Sequence, residues 1–127
     1  MVTLQRLSTF TTTTKPDITE YMNCRYINEH LSKEIENAFD IPTELVIGGI
    51  WQSRSNREEH AYVKIKRQYV EDATNDVIID GAIKQFCEAN RDDLWVVLGP
   101  KEELPEVAVL DGTENNEWYE MFLPDRP

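Results

Sequence analysis

Residues 60–81 read HAYVKIKRQYVEDATNDVIIDG. The stretch opens with alternation: Ala61, Val63 and Ile65 share one face of an extended chain, and His60, Tyr62 and Lys64 share the other. Glu71-Asp72-Ala73-Thr74-Asn75-Asp76 is polar and turn-like. Val77-Ile78-Ile79 is a short β-branched run, closed by Asp80-Gly81. Two strands joined by a turn near Asp72 to Asn75 form an antiparallel hairpin. His60 and Asp80 then fall near the same open end of it.

Upstream, Ile27, Leu31, Ile35 and Phe39 recur at helical spacing, with Cys24 and Ala38 on nearby faces. Asp17 followed by Glu20 fits a capping box just after Pro16, and Asp40-Ile41-Pro42 stops the helix. Leu45 to Trp51 reads as a strand, and Gln52 to Glu59 as a polar loop. Downstream, residues 82–89 fit a short helix carrying Ile83, Phe86 and Cys87. Leu94 to Leu98 and Val107 to Leu110 fit two further strands.

One helix followed by a mostly antiparallel sheet is the α+β class. Its 127 residues make one domain. Residues 1–16 are a threonine-rich polar lead-in, expected to be flexible or edge-like. Residues 17–110 form the core, and 111–127 a tail whose Trp118 to Leu123 segment docks on the body.

The net charge is −11, from 24 acidic and 13 basic residues, and such a field repels phosphate backbones, so no nucleic-acid partner is expected. A solvated acidic surface accounts for the charge; a halophilic host is a second reading. There is no run of 18 apolar residues and no signal-peptide core near Met1, so no membrane partner is expected. The expected location is cytoplasmic, with a virion as the alternative. Oligomeric state is not legible in the sequence.

Cys24 and Cys87 are the two cysteines. Without a secretory signal they read as free thiols. A nucleophilic thiol needs a lowered pKa, which a helix N-terminus and a neighbouring imidazole both supply. The imidazole in turn needs a polar group on its other ring nitrogen. Cys24 near a helix start, His60 on a strand and Asp80 at a strand end meet those needs in outline.

These residues resemble a known family. Cys24-Arg25-Tyr26-Ile27-Asn28-Glu29-His30-Leu31 is similar to the nucleophile helix of small papain-like and transglutaminase-like cysteine enzymes. Glu59-His60-Ala61-Tyr62-Val63-Lys64-Ile65 is similar to that family's histidine strand. Val77 to Phe86 resembles its element in which an Asp is followed, after a small residue and a spacer, by Gln-Phe. The likeness covers about residues 20–90. It implies a papain-like fold with one long N-terminal helix on a small sheet.

It also implies Cys24 as nucleophile, His60 as base and then acid, and Asp80 as the orienting carboxylate. Asn23, Trp51, Tyr62 and Gln85 become candidates for contact with a protein or peptide substrate. Neither a metal nor an organic cofactor is implied. Relatives carry a small residue before the cysteine and Trp after the histidine, where this chain has Asn23 and Tyr62. An N-cap at Asn23, breaking the helix there, puts Cys24 at the first helical position.

Other readings stand beside this one. Cys24 and Cys87 are also ordinary small core residues, and His60 an ordinary sheet histidine. Cys24, His30, His60 and Cys87 are enough ligands for zinc, but a step of six on a helix points Cys24 and His30 apart. The same geometry keeps His30 from serving Cys24. The functional alternative is a non-catalytic structural or partner-binding protein on the same scaffold, viral or plasmid-encoded.

Overall fold

The computed structural model describes residues 1–16, 24–51, 57–83, 104–112 and 123–124, with the side chains of 50, 51, 57, 58, 123 and 124 left out. Two helices and an antiparallel sheet result, in the order α1 (Leu4–Thr14), α2 (Cys24–Phe39), β1 (Glu44–Trp51), β2 (Arg57–Ile65), a 3₁₀ turn (Arg67–Tyr69), β3 (Val77–Asp80), β4 (Ala108–Asp111) and β5 (Leu123–Pro124). The sheet order is β4-β3-β2-β1-β5. All its pairings are antiparallel. No described helix is long and apolar enough to cross a membrane.

The hairpin read from residues 60–81 is present: Val63 pairs with Ile79, Lys64 with Ile78 and Ile65 with Val77. Its inward face carries Val63, Ile65, Val77 and Ile79, each with no exposure. Ile27, Leu31 and Ile35 of α2 pack on that face, also with no exposure. Each such side chain contributes roughly 1.5–3 kcal/mol by leaving water. α2 ends as the sequence predicts, with Asp40 in the left-handed region at φ 53. Glu36 Oε2 accepts from the Thr43 amide at 3.0 Å, fixing the turn into β1.

The N-terminal segment differs from expectation. Residues 4–14 of the expected flexible lead-in are helix α1, where no helix was predicted. Thr3 Oγ1 caps the first turn by accepting from the Arg6 amide at 3.2 Å. Leu7 and Thr11 face the body and are buried. The Thr11 hydroxyl donates to the Leu7 carbonyl at 2.6 Å, and the Thr13 hydroxyl to the Thr9 carbonyl at 3.1 Å. Threonines that bond back onto their own helix in this way lose their usual preference for strands.

The rest of α1 is tied down at both ends. Val2 bridges Val70, and the Glu71 amide donates to the Val2 carbonyl at 2.8 Å. Lys15 Nζ meets Glu106 Oε2 at 3.2 Å, ahead of β4. Of the expected short helix over 82–89, Ala82 and Ile83 lie in a turn and the remainder falls outside the described residues. The strand expected at 94–98 falls outside them too. The strand expected over 107–110 is β4, and two residues of the tail, Leu123 and Pro124, pair with Gly49 and Gly48 of β1.

Candidate active site

Pairing between β2 and β3 stops at Val63 and Ile79. Continued by two residues, the register would set Ala61 opposite Gly81. Instead the side chain of Asn28, from α2, stands between them. Its Nδ2 donates to the Ala61 carbonyl at 2.7 Å, and its Oδ1 accepts from the Gly81 amide at 2.9 Å. The carboxamide thus takes the place of the backbone ladder and pins α2 to the opened end of the hairpin. Gly81 permits the approach: a Cβ there would lie 2.8 Å from Leu31 Cδ1 and 2.9 Å from Ile27 Cγ2.

His60 and Asp80 meet at this opening. His60 Nε2 and Asp80 Oδ2 are 2.5 Å apart, with both side chains fully buried. Asp80 Oδ1 accepts from Asn28 Nδ2 at 3.1 Å and from the Ala82 amide at 2.9 Å. The carboxylate is therefore held on both oxygens. Across the sheet from His60 on β1 is Gly48, whose lack of a side chain leaves room beside the ring.

Cys24 is the first residue of α2, one turn before Asn28, and its thiol is free and part-buried. The sulfur lies 4.0 Å from the Glu59 carbonyl. The His60 ring and the Ala61 backbone lie close enough to act on its charge. Nε2 of the ring faces Asp80, and the other nitrogen, Nδ1, is buried as well. The order thiol, imidazole, carboxylate is that of a nucleophile, its base and the base's orienting group.

The electrostatics follow. Burial works to raise the Cys24 pKa, but hydrogen bonding and charge attraction from His60, with the Ala61 amide, more than offset it, and the thiol sits below its ordinary value. Burial works to lower the His60 pKa, but the charge and hydrogen bond of Asp80, aided by Cys24, raise it to about 9. Both shifts run in the direction that favours a thiolate beside an imidazolium. Tyr62 follows His60 by two on β2; burial, then the charges of Glu44 and Asp80, push its hydroxyl pKa up.

The structure thus brings Cys24, His60 and Asp80 together. Tyr62 lies beside them, 7% exposed, which leaves its side chain little surface to offer a ligand. Asn23 and Gln85 lie outside the described residues, as do Cys87 and the side chain of Trp51. His30 is on α2, more than a turn beyond Cys24; the imidazole at the thiol is that of His60. Among the described residues, no group of three His, Cys, Asp or Glu is placed to hold a metal ion.

Asn28 is the member of the cluster that the residue pattern does not announce. It sits at the helical spacing of Ile27 and Leu31 and has no exposure. A polar residue four positions after a candidate nucleophile, on an otherwise apolar helix face, is the signal that points to it. In comparisons with known proteins, the chain matches no family model, no curated protein and no solved structure.

Proposed function

We propose that the chain is a cysteine-dependent hydrolase or acyl-transferase acting on an amide bond, of the papain-like or transglutaminase-like kind. One observation carries this reading: a part-buried thiol beside a buried histidine whose Nε2 is held by a buried carboxylate. The Cys24 thiolate attacks the amide carbonyl carbon, and the carbonyl electrons move to oxygen. As the tetrahedral intermediate collapses, the His60 imidazolium gives its proton to the leaving amine. A thioester on Cys24 remains, with His60 neutral. His60 then takes a proton from water or an acceptor amine, which attacks the thioester and regenerates the thiolate–imidazolium pair.

Asp80 holds the ring through Nε2 in each step, which stabilises the imidazolium and fixes the tautomer. Such proton transfer is worth about 10²–10⁴ in rate. A protein or peptide is the substrate class that fits amide chemistry at a histidine-activated thiol. A reducing compartment, cytoplasm or virion interior, would keep Cys24 in its working form. The test is conversion of a peptide amide library by the parent and by Cys24→Ala, with folding checked by circular dichroism. Loss of conversion, and of a thiol-directed covalent label, in Cys24→Ala is the expected result. Equal rates in the two proteins overturn the reading in favour of a non-catalytic binding protein on this scaffold.

A further inference from the structure

Asp80 is fully buried and carries the His60 ring on Oδ2. A carboxylate keeps its charge in such a place only when fixed dipoles point at it. Two do so at Oδ1: the Ala82 amide at 2.9 Å and the Asn28 carboxamide at 3.1 Å. The first comes from Asp80's own turn and would follow the carboxylate if the turn moved. The second comes from α2, the helix that carries Cys24. Asn28 therefore connects the nucleophile's helix to the far end of the histidine–carboxylate pair.

The orientation of the carboxamide is settled by its neighbours. Turned over, it would set Oδ1 against the Ala61 carbonyl and the Asp80 carboxylate, and Nδ2 against the Gly81 N–H. Three favourable contacts would become three unfavourable ones. Both protons of Nδ2 and one lone pair of Oδ1 are thus committed.

We infer that Asn28 is a positioning residue, whose carboxamide keeps the Asp80 carboxylate charged and aimed at His60 and so maintains the thiolate–imidazolium state of Cys24. This rests on the function proposed above. Among the described residues, the titratable groups around it are Cys24 from α2, His60 and Tyr62 from β2, Glu44 from β1 through Tyr62, and Asp80 from β3. Without Asn28 the carboxylate loses one of the donors that hold Oδ1. His60 then gives up its proton more easily, and Cys24 keeps its own.

The test is the pH dependence of Cys24 alkylation by iodoacetamide, followed on the Cys24 peptide by mass spectrometry. It reads the thiolate directly and needs no substrate. In Asn28→Ala the profile moves toward that of an ordinary thiol, by about one pH unit. Alkylation at pH values below the parental midpoint then slows by up to about tenfold. Asn28→Asp holds its profile closer to the parent. Two carboxyls about 3 Å apart share one proton, which restores a donor to Asp80 Oδ1.

Ile35→Ala, a cavity farther along α2, lowers stability but leaves the profile in place. If Asn28→Ala does not fold, Asn28→Ser, too short to span both strands, takes its place with the same expected shift. A parental profile in the Asn28 variants, or an equal shift in Ile35→Ala, overturns the assignment while the proposed function stands. A parent whose Cys24 titrates as an ordinary thiol overturns both.

Discussion

Two aspartates mark opposite ends of the β3–β4 pair, and each is satisfied by several donors. Asp111, paired with Val77, accepts from the Thr74 amide and hydroxyl and from the Asn75 amide at 2.7 to 3.0 Å. Those bonds, the Thr74 amide foremost, pull its pKa down. Asp80 has a comparable set of partners, but one of them is an imidazole and both residues are fully buried. At the surface a carboxylate with several donors is a clasp on a turn. In the interior the same arrangement stores charge that the fold must balance, and here the balance is His60 and, through it, Cys24. Donor count does not separate the two clusters; burial and the chemistry of the partner do.

The comparison predicts unequal losses. Asp80→Ala leaves the His60 ring buried without its counter-charge, and should cost about 3–5 kcal/mol in urea unfolding together with the reactivity of Cys24 at neutral pH. Asp111→Ala removes turn bonds that water can replace. It should cost about 1 kcal/mol and leave alkylation of Cys24 at the parental rate. Similar stability losses in the two variants, or impaired alkylation in Asp111→Ala, would break the distinction.

A smaller effect sharpens it. The raised His60 pKa contributes stability that is complete below the unfolded value of 6.5 and is lost as pH rises through about 9. The lowered Cys24 pKa contributes in the opposite sense: its share is present above the unfolded value of 9.0 and fades as pH falls through the folded value. The two contributions act in opposite senses, so the urea midpoint of the parent should vary less with pH than that of Cys24→Ala. In Cys24→Ala only the histidine remains, and the midpoint should fall steadily as pH rises toward 9. A flat profile in Cys24→Ala would mean that Asp80 does not hold a proton on His60.

Much of this architecture is legible in the residues themselves. Alternation over 60–65, the polar turn and the run ending at Asp80 fix the hairpin, because strand period and turn chemistry are local. The same reading sets His60 and Asp80 at one end of it. Helix α1 is hidden because four consecutive threonines favour strand or loop in isolation; contacts with Val70, Asp72 and Glu106, far along the chain, override that preference. Asn28 is hidden for a related reason. A helical wheel sorts residues by hydropathy and assigns an amide to solvent, whereas this amide is buried because two strands part around it. The clasp on Asp111 joins segments 36 and 37 residues apart, a separation at which local patterns are silent.

The central claim is that His60, held by Asp80, activates Cys24. It is tested most directly by the rate of iodoacetamide alkylation at Cys24 against pH, in the parent and in His60→Ala. The account predicts a parental midpoint below that of an ordinary thiol. In His60→Ala the midpoint should move up to the ordinary value or beyond it, since burial alone raises a thiol pKa. A parental midpoint at the ordinary value, or one that His60→Ala leaves in place, would contradict it.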